Sequence, residues 1–330
     1  MYFYKRDFLY FSQQQLFFIL YLVYNKNVKI KYEQPTVYPQ SYKSILGQRP
    51  LWDWRHDKLL WVDIYENKII ETDQNNAQES YYIITEGVTN ILLQDNENYL
   101  MSSHDSIFSL HSSITKIELL SKINFENSGN RINDADIDLN GNVWISTMDT
   151  NQKSETGKII CHDINLDPIY FDNSYIVSNG PTFDYERNIG YVTDSIKRII
   201  YSFSLEDISK KGIQKKIFLS MNNVDGNPDG MTVDKNGNLW VAMWGSGKVC
   251  CFDKESNLKM ILQLPVSKVT SCAFGGTDLN ELFITTASVG LNDIESERQP
   301  HAGKLFKFTT QEQGYASNCY RSEFNSNLYH

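Results

Sequence analysis

The sequence lacks the features that mark several large classes of protein. It has five cysteines but no Cys-x-x-Cys pair and no His-rich spacing, so neither a zinc site nor a disulfide framework is predicted. It also has no surplus of basic residues. The formal net charge of −9 disfavours nucleic acid and anionic membranes, which attract clustered Lys and Arg. We expect no nucleic acid and no stable membrane partner, but a small molecule or a cation.

No apolar run is long enough to cross a bilayer. The segment Leu16–Tyr24 follows Lys5 and Arg6, an order also found in signal peptides, but it is short and no small-residue cleavage site follows it. We interpret residues 1–27 as an N-terminal extension, either a leader or a poorly ordered segment. The expected location is the cytoplasm, or outside the cell if residues 1–27 act as a leader.

The sequence does contain one phrase that is repeated six times. A turn rich in Asp, Asn and Gly precedes a short apolar strand with an aromatic residue, as in Asp138–Ile145 and Asp234–Val241. Such turns need residues that tolerate positive φ and bond their own backbone. Asp63, Asp194 and Asp234 follow or precede the aromatic strands and are predicted to cap turns between blades. The aromatic residues at the repeated position are Trp61, Tyr99, Trp144, Tyr191, Trp240 and Phe283.

These aromatic residues recur at intervals of 38 to 49 residues, which is the length of a four-stranded propeller blade. A pair of β-sandwiches would also give many short strands, but not one phrase at a nearly constant interval. We therefore predict an all-β fold, a six-bladed β-propeller that residues 28–330 form as a single domain. A monomer or a weak dimer is expected.

Loops that open onto the channel of a propeller come from different blades, and three of them carry oxygen-bearing side chains: Gln48, Asn179 and Asp229. Amide and carboxylate oxygens suit hard divalent cations, so these residues could form a metal site that water completes. The spacing alone fits ordinary turns as well, because Asn-Gly and Pro-Asp-Gly are common turn sequences.

Four groups of residues form a larger pattern. They are Asn130-Arg131-Ile132-Asn133-Asp134 with Thr147-Met148, Ser178-Asn179-Gly180, Pro228-Asp229-Gly230-Met231-Thr232-Val233-Asp234 with Leu239-Trp240-Val241-Ala242, and Val269-Thr270-Ser271-Cys272-Ala273-Phe274-Gly275-Gly276. Together they resemble the regucalcin (senescence-marker-protein)/gluconolactonase family, from about residue 28 to residue 308. The resemblance implies a six-bladed propeller with a central metal-binding channel, one divalent metal ion (Ca²⁺, Zn²⁺, Mg²⁺ or Mn²⁺) and hydrolysis of a sugar lactone.

The resemblance also implies roles for individual residues. Asn179 and Asp229 would be metal ligands, with Asp229 also the base that activates water, and Arg131 and Asn133 would hold the substrate. Gln48 stands where the family has a Glu ligand. Some family members place a substrate-contacting Glu at the position of Asn151, which we include as a substrate-binding candidate.

Two neighbouring residues weaken the expected metal site. Gln48 in place of Glu removes one negative charge, so the affinity for a cation should fall. Arg49 replaces a small residue and would add a positive charge near the metal. The first hypothesis is therefore a metal-dependent lactonase. The alternative is a catalytically weakened propeller that binds calcium or a metabolite, and a third hypothesis keeps a hydrolase but makes the substrate a phosphotriester or aryl ester.

Overall fold

The chain forms six β-sheets around a channel in the computed structural model, which describes residues 30–38, 41–73, 79–206, 213–222 and 224–321. The predicted all-β six-bladed propeller is confirmed. The predicted N-terminal extension, residues 1–27, lies outside the described residues. Within the described ranges, no helix combines the length and the apolar character needed to cross a bilayer.

Two short strands precede the first blade, and the first three blades then follow in chain order. The two short strands are β1 (Lys31–Glu33) and β2 (Thr36–Val37). The first blade contains β3 (Gly47–Asp53), β4 (Lys58–Asp63), β5 (Lys68–Asp73) and β6 (Glu79–Ile83). The second contains β7 (Asn90–Gln94), β8 (Tyr99–Ser102), β9 (Ser106–Leu110) and β10 (Ile117–Lys122). The third contains β11 (Asn130–Ile137), β12 (Val143–Asp149), β13 (Gly157–His162) and β14 (Pro168–Tyr175).

The remaining three blades complete the ring. The fourth contains β15 (Ser178–Asp184), β16 (Ile189–Asp194), β17 (Ile199–Ser204) and β18 (Lys216–Ser220). The fifth contains β19 (Asn227–Val233), β20 (Leu239–Trp244), β21 (Lys248–Phe252) and β22 (Leu258–Gln263). The sixth contains β23 (Val269–Gly275), β24 (Glu281–Thr286) and β25 (Phe306–Thr309), with the short helix α1 (Asp293–Arg298) between β24 and β25. Strand β26 (Cys319–Tyr320) follows.

The sixth blade takes its outer strand from the other end of the chain. Strand β2 pairs antiparallel with β25, and Thr36 lies opposite Lys307. Strand β1 adds to the outer edge of the fifth blade, where it pairs in parallel with β22. The ring is therefore closed by backbone hydrogen bonds between segments that are far apart in the sequence.

The six repeated aromatic residues lie at equivalent positions of the six blades. Each is in the second strand of its blade, and each is buried between neighbouring sheets. The prediction from their spacing is confirmed, because burying one large ring per blade stabilises every interface between blades.

Buried carboxylates organise the turns that precede these strands. Asp234 accepts hydrogen bonds from the backbone N–H groups of Asn236 and Asn238 and, at 2.9 Å, from Nε1 of Trp240. Asp138 holds Trp144 in the same way, also at 2.9 Å. The predicted capping role of Asp234 is confirmed, although its turn lies within the fifth blade, and the same carboxylate also fixes the aromatic ring that follows.

Asp63 and Asp194 also cap turns, through the backbone N–H groups of Tyr65 and Ile196, but these turns lie within a blade and not between blades as predicted. Asp63 accepts from the backbone N–H groups of Ile45 and Leu46, at 2.8 and 3.1 Å. Asp194 accepts from the N–H of Ile176 at 2.9 Å. Both carboxylates therefore tie the end of a second strand to the segment that enters the innermost strand of the same blade.

Asp234→Ala should destabilise the protein far more than Asp253→Ala. Asp253 caps an equivalent turn through Glu255 and Asn257, but it is half-exposed and water can replace it. Loss of Asp234 leaves Trp240 Nε1 and the backbone N–H of Asn238 buried without this partner, at a cost of about 3 kcal/mol, against about 1 kcal/mol or less for Asp253. Urea unfolding measures both values, and equal losses would contradict the role given to Asp234.

Candidate active site

The innermost strand of each blade lines the central channel. In order around the ring these strands are β3, β7, β11, β15, β19 and β23, and each contacts the next, with β23 closing onto β3. Because every blade has the same strand order, the six strands begin at one end of the channel, here called the mouth, and finish at the other, the far end. With the exception of Asn151, the predicted site residues lie near the beginning of these strands, at the mouth.

Irregular pairing at the mouth redirects side chains toward the channel. The register shifts in the innermost strand of five blades, whereas β7 pairs with β8 without a shift. A bulge leaves a residue unpaired and bends its strand, and bulges are frequent beside functional sites. The shifts lie between Gln48 and Leu51, Ile132 and Asp134, Asn179 and Thr182, Pro228 and Met231, and Val269 and Ser271.

Two of these bulges depend on glycine. Gly180 has a φ of 82°, in the left-handed region where side chains are strained, and its N–H donates to Oδ2 of Asp134 at 2.8 Å. A Cβ at Gly230 would overlap Ser271 on the neighbouring blade. Both glycines therefore allow innermost strands to approach each other closely at the level of the site.

Asp229 is a buried carboxylate that faces Gln48 across the channel. Its Oδ1 lies 3.5 Å from Nε2 of Gln48. Burial raises the pKa of Asp229 to about 8; the charge of Asp134 adds to this rise, while Gln48 and Arg131 oppose it. A carboxyl group that titrates near neutral pH can exchange a proton with water, which is the property a general base needs.

Asn179 is held in one orientation by two partners. Its Nδ2 donates to Oγ of Ser195 at 2.8 Å, and its Oδ1 accepts from Nδ2 of Asn133 at 3.0 Å. Nδ2 of Asn133 also donates to the carbonyl oxygen of Ser178 at 2.9 Å. The carbonyl end of the Asn179 amide is therefore the end available to a ligand, and Asn133 positions it.

Arg131 is the cationic residue whose charge acts on Asp229 and opposes the rise in the pKa of that carboxyl group. Burial lowers the pKa of Arg131 to about 10, and the charges of Tyr65 and Asp229 act in the opposite direction. Nη1 of Arg131 donates to the carbonyl oxygen of Ile132 at 2.8 Å, which anchors the guanidinium beside its own strand. A planar group with several free donors in this place can bind hydroxyl or carboxylate oxygens.

Arg49 points away from the expected metal position. With a φ of 49° it turns from Gln48 toward the third blade, where Nη2 lies 2.9 Å from Asp136 and Nη1 lies 3.5 Å from Asp134. Burial raises the pKa of both aspartates, and the charge of Arg49 opposes that rise. The positive charge expected beside the metal is therefore paired with two carboxylates of the channel.

Asn151 lies apart from the other predicted residues. It is exposed in the loop after β12, where its backbone N–H donates to Asp149 at 3.1 Å. Within the described ranges, no hydrogen bond joins it to Arg131 or Asn133. Its assignment to substrate binding stays a prediction.

Residues that follow the second strand of a blade also belong to the mouth, and sequence reasoning missed them. Ser195 follows β16 and orients Asn179, Tyr65 follows β4 and interacts electrostatically with Arg131, and His104 follows β8. The pKa of His104 is lowered by burial and by the charge of Arg131. The repeat could have indicated these residues, because in each blade the loop after the second strand lies beside the start of the innermost strand.

The oxygen atoms at the mouth are of the type that hard cations prefer, and their low total charge would give only a modest affinity. No group of three or more His, Cys, Asp or Glu side chains able to hold a metal occurs among the described residues. Gln48, Asn179 and Asp229 instead offer oxygen atoms with a single negative charge between them. The raised pKa of Asp229 fits this arrangement, because a cation bound beside it would favour the ionised carboxylate.

The six-bladed ring is a β-propeller that places amide, carboxylate and guanidinium groups together at one mouth of its channel. Residues 46–288 match the model of the SMP-30/gluconolactonase/LRE-like region, and the chain belongs to this family. It is 31% identical to the putative sugar lactone lactonase YvrE of Bacillus subtilis, over 83% of this chain and 94% of that protein. It is 26% identical to regucalcin of Xenopus laevis, over 83% and 93% of the two chains.

A solved structure supports the same fold. The crystal structure of regucalcin from Agrobacterium tumefaciens, described as a calcium-binding protein, superposes with a TM-score of 0.81. The alignment covers 89% of this chain and 100% of that one at 20% identity. At this identity the comparison establishes the fold.

In metal-free protein, Asp229→Asn should increase stability, and the gain should grow with pH. The folded pKa of about 8 lies above the usual aspartate pKa of 3.8, so the folded state keeps a proton that the unfolded state releases, and wild-type stability falls as pH rises between these values. Asn removes this dependence, worth at most about 1.4 kcal/mol per pH unit. Urea unfolding from pH 5 to pH 9 with a chelator present tests it, and parallel profiles for the two proteins would contradict it.

Proposed function

We propose that this protein is a metal-dependent hydrolase of sugar lactones. The observation that carries the proposal is the buried Asp229 carboxyl, with a pKa near neutrality, facing Gln48 at the same mouth where Asn179 and Arg131 lie. Membership of the SMP-30/gluconolactonase family supports lactone hydrolysis in general, and the relative from Bacillus subtilis is named as a putative sugar lactone lactonase.

The side chains of the mouth divide the work of the reaction. Gln48, Asn179 and Asp229 would hold one divalent cation, and Gln48 would present its amide oxygen for this. When bound, the cation would polarise the lactone carbonyl and lower the pKa of the attacking water. Ser195 keeps the amide oxygen of Asn179 directed at the ligand, because it accepts the hydrogen bond of the amide nitrogen.

Asp229 moves the proton. It takes a proton from the water that adds to the carbonyl carbon, the bond between that carbon and the ring oxygen breaks, and the same proton goes to the ring oxygen as it leaves. The product is an open-chain hydroxy acid. Arg131 binds the hydroxyl oxygens of the sugar or the new carboxylate, and its burial strengthens these hydrogen bonds.

Activity with a panel of aldonolactones should appear only when a divalent cation is added. Protein freed of metal by a chelator is assayed by proton release with Ca²⁺, Zn²⁺, Mg²⁺ and Mn²⁺ in turn, beside phosphotriesters and aryl esters. Asp229→Ala should lower kcat by about 100-fold or more, the usual loss of a general base.

Asp253→Ala is the matched control for this assay, because it removes a carboxylate from a turn outside the mouth. It should keep full activity. Absence of turnover with every lactone and every cation would overturn the proposal, and faster hydrolysis of the esters would move it to that substrate class.

A second function follows from Gln48. If one negative charge is too few to bind a cation firmly, the protein is a propeller that binds calcium or a metabolite without turnover. Gln48→Glu should tighten cation binding by about tenfold, equivalent to about 1.4 kcal/mol, measured by titration calorimetry. Gln311→Glu, which adds the same charge at an exposed position, should leave the affinity unchanged. Activity that appears only in Gln48→Glu would favour this second function.

A further inference from the structure

The segment Gln311–Arg321, here called the strap, runs across the far end of the channel. It lies beyond residues 46–288, which match the family model. It leaves the sixth blade after β25 and ends its described course at the second blade, where β26 pairs in parallel with β7. The order of that sheet places β26 on the channel side of β7, so the end of the strap lies within the ring.

The strap bonds to the fifth and sixth blades where it begins. The backbone N–H of Lys235 donates to the carbonyl of Gln313 at 2.8 Å. The N–H of Gly314 donates to the carbonyl of Leu279, also at 2.8 Å. A Cβ at Gly314 would overlap the ring of Phe274, so the strap lies directly on the innermost strand β23.

The rest of the strap bonds to the other four blades. Nε1 of Trp54 in the first blade donates to the carbonyl of Ser317 at 3.0 Å. Nδ2 of Asn318 donates to the carbonyl of Ile137 in the third blade at 3.0 Å and also to the hydroxyl of Tyr185 in the fourth. Together with β26 on the second blade, these bonds connect one short segment to every blade of the ring.

A polar chamber of about 70 Å³ lies between the strap and the interior of the channel. Its walls include Arg49, Asp136 and Cys272 from the innermost strands and Tyr315 from the strap. Nε of Arg49 is buried and has no hydrogen-bond partner among the described residues. The chamber has room for about two water molecules, one of which would satisfy this group.

We propose that the strap is a seal that makes the channel a pocket open only at the mouth. With the far end closed, small molecules enter and leave the channel beside Gln48 and Arg131 at the mouth. Bulk water cannot reach the channel carboxylates from the far end. This matters for chemistry, because charges interact more strongly where water is excluded. The proposal concerns access to the channel and does not depend on lactonase activity.

Thiol labelling of Cys272 tests the seal in the full-length chain. Cys272 is buried, lines the chamber, and has a pKa raised by burial, so it should react slowly with a thiol reagent in the native protein. Gly314→Val should push the strap away from Phe274 and speed the labelling of Cys272 by about tenfold or more, since 1.4 kcal/mol of lost closure is tenfold. All proteins carry Cys319→Ser, because Cys319 belongs to the strap and is half-exposed.

Two comparisons separate opening of the strap from loosening of the whole protein. Cys161 is buried between the third and fourth blades, so its rate, measured by peptide mass spectrometry in the same sample, reports general unfolding. Asn318→Ala should give a smaller selective rise, and Gln311→Val, at an exposed position of the strap outside the chamber, should give none. Equal rises at Cys161 and Cys272, no rise in Gly314→Val, or rapid labelling of Cys272 in the Cys319→Ser parent would each overturn the proposal.

Discussion

The rest of this structure depends on how three carboxylates of the central channel are compensated by hydrogen-bond donors and positive charge. Asp134, Asp136 and Asp229 are held by innermost strands, and burial raises the pKa of each. An ionised carboxylate in such a place requires a cation or several hydrogen-bond donors. Arg49 supplies the cation for two of them, and backbone N–H groups of the bulges add donors to Asp134.

Among the described residues, Asp229 has no ion pair of the kind that Arg49 makes with Asp134 and Asp136. Its contact with Gln48 is long, at 3.5 Å, and Arg131 acts on it only through its charge. The pKa of Asp229 is consequently raised to about 8, so this carboxyl group can exchange a proton near neutral pH. Function is expected at this position because the same burial that destabilises the charge makes the carboxylate reactive.

The fold was predictable from local signals, whereas its closure was not. Residues such as Trp144 and Trp240 repeat at a blade-length interval, and a turn phrase precedes each of them. The number of blades and the position of the second strand in each blade can therefore be inferred from short stretches of sequence. The pairing of Thr36 with Lys307 joins the two ends of the chain, and no short-range pattern encodes it. The sequence of the strap likewise shows no repeat, because its hydrogen bonds go to six different blades and each contact is made once.

The positions of the candidate residues along the channel were predictable from the sequence, whereas the orientations of their side chains were not. Gln48, Asn179 and Asp229 begin innermost strands, so they lie at one mouth as the sequence suggested. The orientation of Arg49 depends on its left-handed backbone within a bulge, which a sequence does not reveal. Ser195 escaped notice because its importance comes from one hydrogen bond to a residue of the same blade.

Glutamine at position 48 affects the channel both without a cation and with the proposed cation bound. A glutamate there would place a second negative charge within a few ångströms of Asp229, and without a cation the two would repel each other and raise the pKa of the pair further. Gln48 avoids this repulsion and even donates toward Asp229, so the metal-free channel is less strained. The same exchange removes part of the attraction for a cation. On the proposed function, Gln48 therefore lowers the affinity for a cation and removes a repulsion when no cation is bound, so the proposed cation should be weakly held and exchange readily.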